Sequence, residues 1–310
     1  AHTLHTGDIV FGRKGAVERH AFISEFEDGW MQGSDCIRLR VKNERINARY
    51  LSYYFLTPQH RSFMLSMCSH GTTMASLNQK IIEMISIPLP ERKVQDQVVA
   101  VLSALDEKIK NNQEINDNLQ QQAQAIYSSM FIDNSESAWT HGHLSDLVTV
   151  KYGKDHKKLS EGIYPVYGSG GIMRYVERPL YDKESVLIPR KGTLNNVMYV
   201  NQPFWSVDTM FYTEMKLPNV AKFVYHFVKA KDLASMNAGS AVPSMTTDIL
   251  NAMEVVIPSA SALEEFEALV APMYEAMEAN DVQSQALSKV RDTLLPKLMS
   301  GEIDVSSVLL

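Results

Sequence analysis

One unit is written twice in this chain of 310 residues, and that constrains the fold more than any single motif. Residues 71–131 align with 239–299 at a constant offset of 168, without a gap. Each copy opens on a polar, Gly-led stretch (GTTMASLNQKI and GSAVPSMTTDIL). Each then passes through a short apolar strand closed by proline (ISIPLP to Pro90, EVVIP to Pro258) into one long helical pattern. Only eight of the 61 pairs are identical, so the case rests on apolar positions. Ile87/Val255, Leu89/Ile257, Val98/Phe266, Leu102/Val270, Leu105/Met273, Ile109/Met277, Leu119/Leu287 and Ile126/Leu294 all match. Upstream, Arg13-Lys14-Gly15 answers Arg190-Lys191-Gly192. A duplicated globe-plus-helix unit can engage two patches of something long.

The helical half of each copy is the clearest local element. Val94, Val98, Val101, Leu105, Ile109, then Leu119, Ala123, Ile126 and Met130 recur at spacings of three and four with polar residues between. About 38 such residues at 1.5 Å each predict a rod of roughly 55 Å. The second copy repeats the stripe with Leu263, Phe266, Val270, Met273, Met277, Leu287, Leu294 and Leu298. Pro272 and Pro296 are expected to bend or stop that rod locally. Both stripes turn polar midway, at Asn112/Asn116 and Asn280/Ser284. Two rods with narrow apolar stripes are expected to pack on each other as a coiled coil, polar seam residues fixing the register at some cost in stability. Two helices each lying on its own globe would satisfy the same pattern.

The globular parts read as mixed α/β, with candidate strands at 8–11, 36–41 and 85–89 in the first and 185–188, 210–214 and 252–257 in the second. Short helices are expected at 49–56 and 220–230, and the polar stretch 133–138 marks a boundary. Residues 139–184 have no counterpart in the first copy, which therefore lacks about 45 residues at its front. The chain, whose first residue is Ala, is expected to start mid-domain, with exposed strand edges in its first globe.

The net charge of −6 conceals a division by region. Residues 1–90 and 139–258 each carry +2, whereas 91–135 carry −3 and 259–310 carry −6. Acid sits on the helices and the globes are mildly basic, so the local field permits an approach to phosphates. No apolar run is long enough to span a membrane, and no charged segment followed by an apolar core opens the sequence, so a cytoplasmic location is expected. Cys36 and Cys68 show no CxxC spacing and are expected to be reduced, half-buried thiols. There is no GxSxG elbow, no HExxH, no nuclease-like acidic cluster and no NPPY or DPPY strip. His141 and His143 have no third ligand at metal-binding spacing and are expected in an exposed loop.

Binding candidates are better defined. GRKG at 12–15 and PRKGT at 189–193 follow apolar strands and place paired cations beside glycine, where backbone amides open toward an anion. This selects Arg13, Lys14, Arg190, Lys191, Thr193 and Asn195. The densest basic run, KYGKDHKK at 151–158, adds Lys151, Tyr152, Lys154, Lys157 and Lys158. YGSGGI at 167–172 matches neither phosphate-loop template and reads as a tight Gly turn, contributing Tyr167, Ser169 and Arg174. A charged turn or solvated loop explains each of these locally; for the Arg-Lys-Gly turns alone, recurrence in both copies favours function. Thr72, Thr73, Ser76, Asn78 and Gln79, with Ser240, Ser244, Thr246 and Thr247, offer hydrogen bonds to base edges.

Together, IPLPERKVQDQVVAVLSALDEKIKNNQEIN (87–116), LLPKLMSGEID (294–304), YPVYGSGGI and PRKGT resemble the DNA specificity subunits of type I restriction–modification systems over essentially the whole chain. The resemblance implies an α+β chain: two globular mixed α/β target-recognition domains separated by two long antiparallel helices forming a coiled-coil spacer. The expected division is 1–90 (first recognition domain, incomplete at its N-terminus), 91–135 (first spacer helix), 136–258 (second recognition domain) and 259–310 (second helix and tail).

It further implies a non-catalytic subunit that reads a split site in double-stranded DNA and docks two methyltransferase subunits and the motor-nuclease restriction subunits. S-adenosylmethionine, ATP and Mg²⁺ would belong to those partners and no cofactor to this chain; no membrane is involved, and self-association is an additional expectation. A coiled-coil scaffold that does not read DNA, and a specificity domain cut from a fused methyltransferase–nuclease, are the alternatives.

Overall fold

The computed structural model describes residues 2–68, 76–136, 139–236 and 244–305. It divides into two compact units, Ala1–Ile115 with Glu278–Leu310, and Asn116–Met277.

In the first unit, β1 (Ile9–Gly12) lies between β2 (His20–Phe22) and β3 (Cys36–Leu39), antiparallel to both. Alternation along β1 buries Ile9 and Phe11 and leaves Val10 half-exposed, as period-2 geometry requires of a strand covered on one face. Helix α1 (Ala48–Phe55) covers that face with Tyr50, Leu51, Tyr53 and Phe55. Asn47 caps it by accepting from the amides of Arg49 and Tyr50. Then come α2 (Pro58–Cys68), α3 (Gln79–Glu83) and the long α4 (Arg92–Ser128), followed by a π-helical turn at Ser129–Asp133. Cys68 is buried and Cys36 half-buried, both as free thiols.

In the second unit β4 (Thr140–His143) leads through α5 (Leu144–Leu147) to β5 (Val148–Tyr152), and β6 (Tyr164–Gly168) hairpins into β7 (Gly171–Val176). Next are β8 (Ser185–Pro189), β9 (Met198–Val200), β10 (Trp205–Ser206), β11 (Met210–Met215), α6 (Ala221–Lys229), α7 (Thr247–Asn251), β12 (Glu254–Ile257) and α8 (Ala260–Ser300). The main sheet runs β5-β11-β8-β9, and β10-β6-β7 forms a second layer. Strand β8 is buried throughout. Val186 and Ile188 enter the core shared with α6, whereas Leu187 faces Val166, Phe204 and Met210 of the other layer. A strand covered on both faces loses alternation and becomes a continuous apolar run.

The order β9-β8-β11 reproduces β2-β1-β3, with α6 standing for α1 and α7 for α3. The stretch 85–89, expected as a strand, forms none. Its counterpart β12 exists by pairing with β4, and among the described residues of the first unit no strand stands in that place. An unpaired extended segment has no ladder to join. His141 and His143 also differ from expectation: they lie on β4, paired with β12, although both are exposed.

The long helices serve both units. Val98 and Leu102 of α4 join Leu295, Leu298 and Met299 of α8 in the first core. Ala123 and Tyr127 of α4 join Leu263, Phe266 and Val270 of α8 in the second. Neither Pro272 nor Pro296 stops α8, which spans 41 residues. Burial of Val270 beside one proline and of Leu295 and Leu298 beside the other holds the helix where its own hydrogen bonds are interrupted.

Polar groups, half-buried in the first unit and buried in the second, tie each unit to its helices. In the first, Asp106 accepts from the Tyr53 hydroxyl at 2.6 Å and from Arg291 at 2.9 Å. In the second, Lys222 bridges Glu267 at 2.6 Å and Glu184 at 3.2 Å beneath the rings of Tyr199 and Tyr274.

Candidate nucleic-acid interface

The register of the main sheet gathers the basic segments of the second unit at one end. Tyr152 at the close of β5 pairs with Phe211, and Pro189 at the close of β8 pairs with Met210, where β11 begins. The Arg190-Lys191-Gly192 turn and the 151–158 loop therefore leave the sheet side by side. Arg190 lies over the Tyr152 ring at 5.3 Å and donates to the Asp208 carbonyl. Phe211 supports that ring edge-on at 5.0 Å.

The β6–β7 hairpin closes on the same turn. A Cβ at Gly192 would lie 2.7 Å from Ser169 Oγ, so this position, with φ +86°, is met by glycine both for its backbone angle and for the close approach. Asn196 donates to the Ser169 carbonyl at 2.7 Å, fixing the hairpin tip. Arg174 reaches the other way and donates to the Leu159 carbonyl at 2.7 Å, strapping the hairpin to the loop that carries Lys157 and Lys158. That loop is held by Lys154 N–H donating to Ser206 and by Trp205 donating to the Lys154 carbonyl.

Within this cluster the predicted residues fall into different environments. Lys154, Lys157, Lys158, Lys191 and Thr193 are exposed, and Tyr152 and Arg190 form an exposed-to-half-exposed pair. Lys151 pairs with Glu214 at 3.6 Å. Tyr167 is buried beside Phe204, its hydroxyl accepting from Gln202. Asn195 is spent on the loop after α6, donating to Asp232 and accepting from the Ala234 amide.

In the first unit the Arg13-Lys14-Gly15 turn is built in the same way. Leu77 N–H donates to the Arg13 carbonyl at 2.8 Å and Met245 N–H to the Arg190 carbonyl at 2.9 Å. Lys14 bridges Ser76 as Lys191 bridges Ser244, and Gly15 has φ +79°. Arg13 and Lys14 are exposed. Asn78 and Thr246, read from sequence as base-edge donors, instead cap α3 and α7 by accepting from Ile81 and Ile249. Thr72, Thr73 and Ser240 lie outside the described residues.

Motif reading passed over Ile172 and Met173, both exposed on β7. Consecutive apolar residues on a strand must face opposite ways, and that was the signal available. Among the described residues no cluster of three or more His, Cys, Asp or Glu side chains could hold a metal ion, and no helix is long and apolar enough to cross a membrane.

The family model of the type I restriction modification DNA specificity domain matches residues 2–121 and 136–265. The MjaIX specificity subunit of Methanocaldococcus jannaschii is 23% identical, the match covering 86% of this chain and 72% of that protein. The HindI specificity subunit of Haemophilus influenzae is 18% identical, covering 97% and 87%. Among solved structures, a type I restriction–modification S subunit from M. genitalium superposes with a TM-score of 0.59 at 18% identity, covering 96% of this chain and 84% of that one.

Proposed function

The chain belongs to the type I restriction–modification DNA specificity family, whose members are non-catalytic subunits for DNA-target recognition and complex assembly, and from that premise we propose that it reads a bipartite target. Residues 136–258 form a recognition domain for one half-site, and residues 1–90 carry the counterpart for the other. Helices 91–135 and 259–310 run antiparallel as the coiled-coil spacer that sets the half-site separation.

The observation that carries this reading is the twice-built Arg-Lys-Gly turn, pinned in each unit by the amide of the residue immediately before an N-cap. Two adjacent cations on a glycine turn suit a phosphate or guanine contact, and two copies suit two contacts along one duplex. The spacer is supported within each unit by helix pairing. In the first, Asp106 meets Arg291 and Asn112 meets Ser284; in the second, Asn116 meets Met277 and Tyr127 meets Phe266. In both, partners descend along α8 as they ascend along α4.

Two methyltransferase subunits carrying S-adenosylmethionine dock on this frame, and motor-nuclease subunits using ATP and Mg²⁺ complete the restriction complex. The test is co-expression with the cognate methyltransferase subunit and genome-wide mapping of N6-methyladenine. A split motif with two different specified halves is the expected result. Assembly of the complex without sequence-specific methylation would leave only a scaffold.

A further inference from the structure

The β6–β7 hairpin carries an apolar surface between two sets of cations. Met173 is 61% exposed and Ile172 45%, with Tyr175 at 44% on the same face as Met173. On one side Arg174 straps the hairpin to the loop holding Lys157 and Lys158; on the other, Ser169 abuts Gly192 beside Lys191. A flexible thioether and a branched aliphatic exposed between cations gain nothing from water.

The hydrogen-bonding residues nearby are largely committed elsewhere. Asn195 is engaged by Asp232 and Ala234, Arg174 by the Leu159 carbonyl, Asn196 by Ser169, and Tyr167 is buried. Beside the Arg190 turn, what the hairpin itself exposes on β7 is Ile172, Met173 and the Tyr175 ring. A two-stranded ribbon fits the major groove, and the apolar group displayed there is the 5-methyl of thymine.

We propose that the β6–β7 hairpin enters the major groove and that Met173, with Ile172, rests against thymine 5-methyl groups, making these two residues specificity determinants of the second domain. The inference rests on the DNA-reading role proposed above. The flanking lysines then hold phosphates on either side, supplying affinity without sequence information.

The experiment uses the full chain in complex with its methyltransferase subunit and duplexes bearing the motif mapped by methylation, with each thymine replaced singly by uracil. Burying one methyl group is worth about a fourfold change in affinity. Uracil at one or two positions in the half-site read by the second domain is expected to weaken wild-type binding about fourfold. Met173→Ala and Ile172→Ala are expected to weaken binding to the thymine duplex and to be indifferent to uracil, with melting temperatures unchanged because both side chains are exposed. Wild-type indifference to uracil at every position, or full uracil sensitivity in both variants, would overturn the assignment while leaving DNA reading intact. Absence of any sequence preference in the wild-type complex would overturn both.

Discussion

Asn112 and Asn280 occupy the same position in the two copies of the duplicated unit, and in the folded chain they meet. The Asn112 side chain, 1% exposed, donates to the Asn280 carbonyl at 3.3 Å, to Gln283 at 2.9 Å and to Ser284 at 3.1 Å. Alternative axial registers of α4 against α8 would place an amide against leucine or methionine, leaving it dry and unpaired. Such a group specifies register at the expense of stability.

Asn112→Leu separates those two effects. Replacing a buried amide by a close isostere removes its desolvation cost but strands three acceptors, so the melting temperature should change little. Register should blur, read as a second spacer length in the methylated motif. Asn112→Ala adds a cavity and is expected to cost about 2–3 kcal/mol in chemical denaturation. A single unchanged spacer length in a folded Asn112→Leu protein would remove the register role.

Arg190 and Lys191 are adjacent but differently held, and that predicts different losses. Arg190 is stacked on Tyr152 and oriented by the Asp208 carbonyl, a pre-set fork suited to a base. Arg190→Ala should weaken binding to the specific duplex by about 1–3 kcal/mol and relax discrimination at one base pair. Lys191 is exposed; Lys191→Ala should weaken all duplexes alike and lower the salt slope by about one unit. Titration at several salt concentrations on specific and random DNA distinguishes the two. Unchanged binding in both variants would remove the turn from the interface.

Much of this was legible in the sequence because it depends on local pattern. The apolar runs at 185–188 and 210–214, the period-2 strand at 8–11 and the long stripes through Val98 and Phe266 all became the expected element type. What failed depended on distant partners. Nothing local at 85–89 reveals that, among the described residues of the first unit, no strand stands where β4 pairs with β12 in the second. Nothing local at Pro272 or Pro296 reveals that neighbouring residues are packed firmly enough to carry the helix through. Nor does the sequence around Tyr167 and Asn195 reveal that the first is buried and that the second, though exposed, bonds the loop after α6. The Arg-Lys-Gly turns were found because glycine beside paired cations is a local signal, and their common anchoring then followed from topology.

Gly15 and Gly192 test that common anchoring. Both have positive φ, so alanine at either is expected to cost about 1–2 kcal/mol in backbone strain alone. At Gly15 a Cβ meets nothing within 4 Å, whereas at Gly192 it would lie 2.7 Å from Ser169 Oγ. Gly192→Ala should therefore displace the hairpin as well as strain the turn. Denaturation should show the larger loss for Gly192→Ala, and hydrogen exchange at 168–173 should rise only in that variant. Equal exchange in both would mean that the hairpin is not seated on the turn.

His226 makes the second unit acid-sensitive. Gln124 Oε1 can only accept, so His226 Nδ1 donates to it at 2.8 Å, and Nε2 accepts from the Tyr274 hydroxyl at 2.9 Å. This neutral tautomer satisfies both nitrogens, and burial depresses the imidazole to about 4 from 6.5. His20 and His60 in the first unit are also lowered to about 4, each chiefly by burial. Between pH 6.5 and 4 the unfolded chain binds protons that the folded chain refuses, so stability falls as pH falls across that window and is fully present above it. Each histidine accounts for about 2 kcal/mol by pH 5. Denaturation of the wild type at pH 7 and pH 5 should show that loss, and His226→Gln, although less stable at pH 7, should lose about a third less on acidification. Because this ring bonds α6 to both α4 and α8, the acid-induced opening should first expose the amides of residues 221–229 in hydrogen exchange. A pH dependence identical in wild type and His226→Gln would exclude the ring as the titrating group.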